Sequence, residues 1–421
     1  MADAPGAEER LRAVPFEALA GRVGALEPAL AQVLAGAVAE RVLDRFLRSH
    51  PDLDAAGRAA CAEAVFGVGL WRRRLRSALG GAAGSPRLLL ALLLRDLAGR
   101  GDAATLAGVA AADLPPTAAP PAGLADRHSL PDWLAAELVD AAGEEAGALA
   151  AALNRPGPVA LRANRLRGDR AELAAALAQE GVTTRPSLLA RDGLVVTSPR
   201  ANVRGLAAWR DGRCEVQDEG SQLLALALGA RPGERLLDRC AGAGGKALAL
   251  AAEVGAGGRV LACDADAARL ERLVLRAGRA GAGAIVERLG AAPPPGLQVD
   301  GALVDAPCSE LGPLRRGPDL RWRLDPRSFA ALPALQLSLL RDAAAAVRPG
   351  GRLVYATCTF RAEENRGVAL AFEAAEPGWR RSSPAAPAGL LTPDGFLQLM
   401  PHRHGTDGFF AAAWERRRDS Q

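Results

Sequence analysis

The stretch "ERLLDRCAGAGGKALALAAEVGAGGRVLACDAD", residues 234–266, decides how the second half of the chain is read. A short apolar run ends in Asp238, a glycine-rich turn follows, an Ala- and Leu-rich helical pattern comes next, and a second apolar run ends at Cys263. Short apolar runs without polar alternation suit strands buried on both faces, as in a parallel sheet covered by helices. The rhythm continues through "ARLERLVLRAGRAG" (268–281), "VDGALVDAPC" (299–308), a helical pattern near 329–347 and "GRLVYATC" (351–358). Strand and helix alternate throughout, so residues 215–421 are expected to form a doubly wound α/β domain of the Rossmann type.

In such sheets ligands bind at the carboxyl ends of the strands. Those ends carry Asp238 and Cys240, Asp264, Asp305 and Cys308, and Cys358. The turn at residues 238–247 opens a helix, so its glycines let backbone amides approach a ligand and the helix end favours negative charge. Gly242, Gly244 and Ala247 fit the G-x-G-x-x-A fingerprint, and Asp264 lies where an acid would grip a ribose. A nucleoside-containing cofactor is expected, and the turn alone does not say which.

The chemistry points to the two neighbouring strand ends "VDAPCSELG" (304–312) and "LVYATCTF" (353–360). Parallel neighbours lie roughly 5 Å apart, so both thiols and the Asp305 carboxyl can face one pocket. No histidine lies near either motif and the cysteines lack zinc-site spacing, so thiol chemistry on an organic substrate is expected and a metal is not. Methylation at carbon 5 of a pyrimidine would use all three groups. A thiolate adds to carbon 6 and makes carbon 5 nucleophilic, a carboxyl at ring nitrogen 3 stabilises the developing charge, and a second thiol assists release.

The whole chain has 421 residues, 24% charged and 49% hydrophobic, with a formal net charge of +4, as expected of a multi-domain water-soluble protein. The N-terminus lacks an apolar signal core and the run "RLLLALLLRDLAG" meets Arg95 too soon to span a bilayer, so a cytoplasmic location is expected and membrane association is not. Lys246 is the only lysine and Tyr355 the only tyrosine; the asparagines are Asn154, Asn164, Asn202 and Asn365. A residue type nearly absent elsewhere survives where no substitute serves. The stripes "WRRRLR" (71–76) and "LRRGPDLRWRL" (314–324) could meet phosphates or be solvated helix faces.

From about 13 to 112 apolar residues recur at three- and four-residue steps with no strand alternation, giving a helical bundle. The Pro- and Ala-rich stretch 109–133 reads as a linker, and residues 131–214 as a small α+β unit with a helix near 132–152, then strand, helix, strand. The predicted division is therefore 1–130, 131–214 and 215–421.

Taken together, "DRCAGAGGK", "DAPCS" followed by "LRRGPDLRWR", "LVYATCTFRAEEN" and "HGTDGFFAA" (404–412), in this order, resemble the RNA 5-methylcytosine methyltransferase family. The resemblance covers about 150 to 415, including "NRPGPVALRANRLR" and "CEVQDEGSQLLAL". It implies S-adenosylmethionine as cofactor, Cys358 as nucleophile, Cys308 in product release and Asp305 as the acid. The cofactor loop falls on Cys240, Ala241, Gly242, Ala243, Gly244, Gly245 and Lys246, with Asp305 beside it, Asp264 at the ribose and Arg269 near it. The helical part, above all "AEAVFGVGLWRRRL", is similar to the RNA-binding domain of the antitermination factor NusB. That fusion implies 16S ribosomal RNA as substrate and a monomer. Departures are Ala243 for a proline, Ala247 for a threonine, Glu310 for a small residue, and Leu289 or Gly290 where an adenine-side aspartate is common, with Glu287 the only acid nearby. Three alternatives stay open: a relative that binds RNA without cofactor, an enzyme acting on transfer RNA, and a nicotinamide-dependent dehydrogenase.

Overall fold

Residues 234–266 fold as strand, turn, helix, strand in the computed structural model, which describes residues 6–117, 119–198 and 201–418. The chain divides into two units. One is Met1–Pro156 with Leu314–Pro326, and the other is Gly157–Pro313 with Arg327–Gln421.

The first unit is helical. Its longest helix, Ala55–Ser77, starts at Asp54, whose side chain accepts a hydrogen bond from the Gly57 amide at 2.7 Å. A Cβ added at Gly67 would lie 2.8 Å from Leu93 and one at Gly69 2.7 Å from Val33, so these glycines let neighbouring helices approach. The apolar run that meets Arg95 supplies Leu89, Leu90, Leu92, Leu93 and Leu94, all fully buried, each contributing roughly 1.5–3 kcal/mol of hydrophobic stabilisation. Among the described residues no helix is long and apolar enough to cross a membrane.

The stretch read as a linker is ordered against this unit from Leu124–His128 onward: Ser129 Oγ accepts from the Arg73 amide at 3.0 Å and the Leu130 carbonyl from its guanidinium at 2.9 Å. The helix expected near 132–152 is two, Asp132–Ala142 and Ala146–Leu153, broken at Gly143, where φ is 53°. Compactness groups both with the helical unit.

The second unit contains two sheets. The smaller comprises β1 (Ala160–Ala163), β2 (Thr184–Pro186), β3 (Gly193–Val196) and β4 (Cys214–Val216) in the order β2-β3-β1-β4, all pairs antiparallel. Its helix, Arg170–Gln179, begins in a capping box of Asp169 and Glu172.

The larger sheet contains β5 (Arg235–Asp238), β6 (Arg259–Cys263), β7 (Val286–Gly290), β8 (Val299–Asp305), β9 (Val347–Thr357), β10 (Trp379–Ser382), β11 (Leu397–Leu399) and β12 (Phe409–Arg416). Its order is β10-β12-β9-β8-β5-β6-β7, with β11 paired to β12. β5 to β9 are mutually parallel, as expected of the doubly wound pattern. The sheet is nonetheless mixed, because β12 runs antiparallel to β9, and β10 and β11 antiparallel to β12. The chain runs outward from β5 to β7 and returns to the other side of β5 at β8, so the switch point lies between β5 and β8.

Side-chain alternation explains why the strands read as continuous apolar runs. Leu236, Val260, Leu303 and Val354 pack into one core, and Leu237, Leu261, Val304 and Tyr355 into another on the opposite face.

Candidate active site

The switch point is lined by the turn after β5 and by the ends of β8 and β9. The helix Gly245–Val254 begins directly after that turn, with Gly244 at φ 91° and Gly242 at φ 54°. A Cβ at Gly244 would lie 2.9 Å from Leu273, whereas one at Gly242 would meet nothing within 4 Å. Gly244 is thus required by packing, and the Gly242 backbone faces open space. Its amide donates to Asp264 Oδ2 at 2.8 Å, while Asp264 Oδ1 accepts from the Asp266 amide at 2.8 Å. This carboxylate therefore ties the end of β6 to the turn.

Asp238, at the end of β5, is fully buried and neither carboxylate oxygen has a hydrogen-bond partner. Burial, with Asp305 adding to it, pushes this acid up to about 7. Cys240 is pushed up to about 12, chiefly by burial, so its thiol stays protonated.

The sole lysine reaches from the first turn of Gly245–Val254 to the end of β8: Lys246 Nζ donates to Asp305 Oδ2 at 2.6 Å. Burial pulls the Lys246 ammonium down, but Asp305 outweighs it and the group ends above its ordinary value. Lys246 is thus a fixed cation at the centre of the site.

The two thiols meet. Parallel pairing sets Asp305 opposite Ala356, and just beyond these residues Cys308 Sγ and Cys358 Sγ lie 3.3 Å apart. The sulfur contact with Cys308, then burial, push the Cys358 thiol well above its ordinary value.

A network under the thiols involves residues that the sequence pattern left without a role. Ser309 Oγ and Thr359 Oγ1 lie 2.8 Å apart, and the Ser309 amide donates to Glu364 Oε2 at 2.9 Å. Gln336 Nε2 bridges the Pro307 carbonyl and the same Glu364 oxygen, both at 2.9 Å. Asn365 accepts from Thr357 Oγ1 at 2.6 Å and donates to the Thr359 carbonyl at 3.0 Å, gripping both sides of Cys358. Tyr355 donates to the Glu364 carbonyl. The scarcity of tyrosine and asparagine was the signal for the last two; Glu364 and Gln336 carried none.

Gly312 and Gly408 explain why "ELG" and "TDG" accompany the cysteines. The Gly312 amide donates to the Cys358 carbonyl at 3.0 Å, and a Cβ there would lie 2.0 Å from the Gly408 oxygen and 2.8 Å from the Cys358 oxygen. Glu310, the first residue of "ELG", has φ 55°.

The remaining sequence candidates sit farther out. Arg269 is exposed and pairs with Asp266 at 3.4 Å, Ala241 is buried, and Ala243 lends its carbonyl to Arg276 at 2.7 Å. At the end of β7, the Gly290 carbonyl accepts from the Asp264 amide at 2.9 Å, Leu289 is half-buried and Glu287 is exposed. Cys61, Cys214 and Cys263 are buried in cores. Among the described residues no cluster of three or more His, Cys, Asp or Glu side chains is placed to hold a metal.

The arrangement offers two thiols in contact, a carboxylate held by a cation, and an open glycine turn. A family model described as 16S rRNA methyltransferase RsmB/F matches residues 225–415, and one described as its ferredoxin-like domain matches residues 130–204. The probable ribosomal RNA small subunit methyltransferase B of Synechocystis sp. is 36% identical over 300 residues, covering 69% of this chain and 67% of the relative. The corresponding protein of Bacillus subtilis is 35% identical over 306 residues, 70% of this chain and 68% of the relative. The crystal structure of PH0851 superposes with a TM-score of 0.75 at 24% identity, covering 98% of this chain and 99% of that one. NSun6 from Pyrococcus horikoshii, crystallised with SFG, gives 0.62 at 21%, covering 69% and 99%.

Proposed function

The chain belongs to the 16S rRNA methyltransferase RsmB/F family, and from that membership we propose that it methylates carbon 5 of a cytosine in 16S ribosomal RNA through a covalent adduct on Cys358. Its cofactor is S-adenosylmethionine. The observation that carries the reading is the pairing of the 3.3 Å thiol contact with the 2.6 Å Lys246–Asp305 bond at the ends of adjacent strands.

The residues present fit the cofactor. The open, positive-φ backbone at Gly242 and the helix end at Gly245 accept a close, negatively charged ligand group. Residues Cys240 to Lys246 would hold it, with the Asp264 carboxylate beside the turn as the group for the ribose hydroxyls. Bound there, it supplies an electrophilic methyl group.

The protein's own work begins at Cys358. The Cys358 thiol gives up its proton to the free oxygen of Asp305, its sulfur forms a bond to carbon 6 of the cytosine, and the electrons of the carbon 5–carbon 6 double bond shift through the ring toward nitrogen 3 to leave an enamine. Asp305, fixed at Oδ2 by Lys246, passes that proton from its other oxygen to ring nitrogen 3 and so neutralises the charge that develops there. Carbon 5 then takes the methyl carbon as the methyl–sulfur bond breaks and the sulfur leaves with the bonding electrons. A base then removes the proton from carbon 5, the Cys358–carbon 6 bond breaks, and Cys308, in contact with the departing sulfur, assists release.

Incubation with S-adenosylmethionine and unmodified 16S or transfer RNA, followed by bisulfite sequencing, tests the proposal. One protected cytosine in the 16S transcript is expected. Protection only in transfer RNA would overturn the substrate, and protection in neither the reaction.

A further inference from the structure

The helical unit contains a basic cleft that the chemistry above does not use. It has a volume of about 570 Å³ and opens between the end of helix Ala55–Ser77 and the segment Leu314–Pro326, both within that unit. Arg72 and Arg76 stand one turn apart on the helix, where like charges repel. Among the described residues neither is in an ion pair, whereas Arg73 between them is neutralised by Asp126 and Asp132, both at 2.6 Å.

The Arg72 guanidinium lies over the Trp322 indole, 4.0 Å from its centroid, and the indole is pinned by a 3.1 Å bond from Nε1 to the Gly69 carbonyl. Arg76 is steadied by the Ala83 carbonyl, which accepts from its Nε at 3.2 Å. Burial, with Arg76 adding to it, pulls the Arg72 guanidinium down to about 10. A partly buried cation without an anion is costly, and an incoming anion removes that cost. The far wall is Gly80 and Gly81, where an added Cβ would meet nothing within 4 Å, so the cleft mouth carries no side chain on that side.

We propose that this cleft binds the phosphodiester backbone of the RNA substrate, with Arg72 and Arg76 contacting phosphate oxygens and Trp322 holding Arg72 flat for a two-pronged contact. The proposal rests on the reading that the substrate is RNA. A guanidinium fork matches phosphate oxygens in pairs, and such contacts position the nucleic acid without reading its sequence.

The test is filter binding of in vitro transcribed 16S ribosomal RNA to the full chain across a KCl series. Arg72→Gln with Arg76→Gln is expected to raise Kd about tenfold and to lower the slope of log Kd against log salt by about 1–2, since each phosphate contact contributes roughly 0.7–0.9. S-adenosylmethionine affinity, read by calorimetry, should not change. Should the double variant unfold the helical unit, Arg76→Gln alone must still lower the slope by about one. An unchanged Kd and slope would overturn the proposal. So would an unchanged RNA slope with lost retention on poly-glutamate resin, which would make the occupant an acidic peptide. Wild-type protein that binds but does not methylate refutes the catalytic reading alone, because the variant comparison stands without turnover.

Discussion

Cys308 Sγ and Cys358 Sγ lie 3.3 Å apart although 50 residues separate them in the chain. The contact depends on β8 and β9 being parallel neighbours whose loops turn back over the same strand ends. In the proposed mechanism the two thiols have different fates.

Cys358→Ser should abolish methyl transfer, because a hydroxyl does not replace a thiolate as nucleophile. Cys308→Ala should instead leave an RNA–protein adduct that survives a denaturing gel. Full turnover by the serine variant would refute the assignment of the nucleophile.

Activity should rise with pH. The Cys358 thiol is held above its ordinary value by Cys308 and by burial, so the thiolate is the minor form at neutral pH and grows as protons are removed. Single-turnover rates with saturating RNA are expected to climb by up to about tenfold per unit between pH ~6 and ~9. A rate that falls over this range would contradict a protonated resting nucleophile.

Lys246→Met keeps most of the side-chain volume and removes the ammonium from Asp305, 2.6 Å away. The loss of a charge-assisted bond in a partly buried site should lower kcat roughly a hundredfold and stability by about 1–3 kcal/mol. Chemical denaturation beside single-turnover rates separates the two effects, and unchanged kcat would remove Lys246 from the mechanism.

Gly312→Ala tests the clamp on Cys358. The new Cβ would lie 2.0 Å from the Gly408 oxygen and 2.8 Å from that of Cys358, so backbone must move. A displaced nucleophile should cost about a hundredfold in activity. Gly278→Ala is the matched control: it lies within helix Ala267–Ala280 and its Cβ meets nothing within 4 Å. It should keep full activity and gain about 0.5–1 kcal/mol, read as a higher melting temperature.

Much of the candidate site was legible because short, continuous apolar runs end in Asp238, Asp305 and Cys358. Strand order and register then bring Asp305 and both cysteines to one edge with little freedom. The sole lysine stood out by rarity and occupies the centre of the charge network. Glu364 and Gln336 were silent, since a buried acid reads like any surface acid until its partners are known. The basic stripe at 314–324 was misleading in part: Arg321 is fully buried and donates to Asn154 at 2.7 Å, and Asp319 is buried too.

By itself the sequence determined the parallel α/β core, the glycine turn and which thiols and carboxyls stand at the strand ends, because these follow from local periodicity and from side-chain chemistry. Only the tertiary structure decided that the sheet is extended by antiparallel β12, β10 and β11, that Leu314–Pro326 belongs to the helical unit, and that Lys246 grips Asp305. Those features depend on partners far apart in the chain. No local pattern encodes such partners, because burial and hydrogen-bond satisfaction are settled only when the distant segments meet.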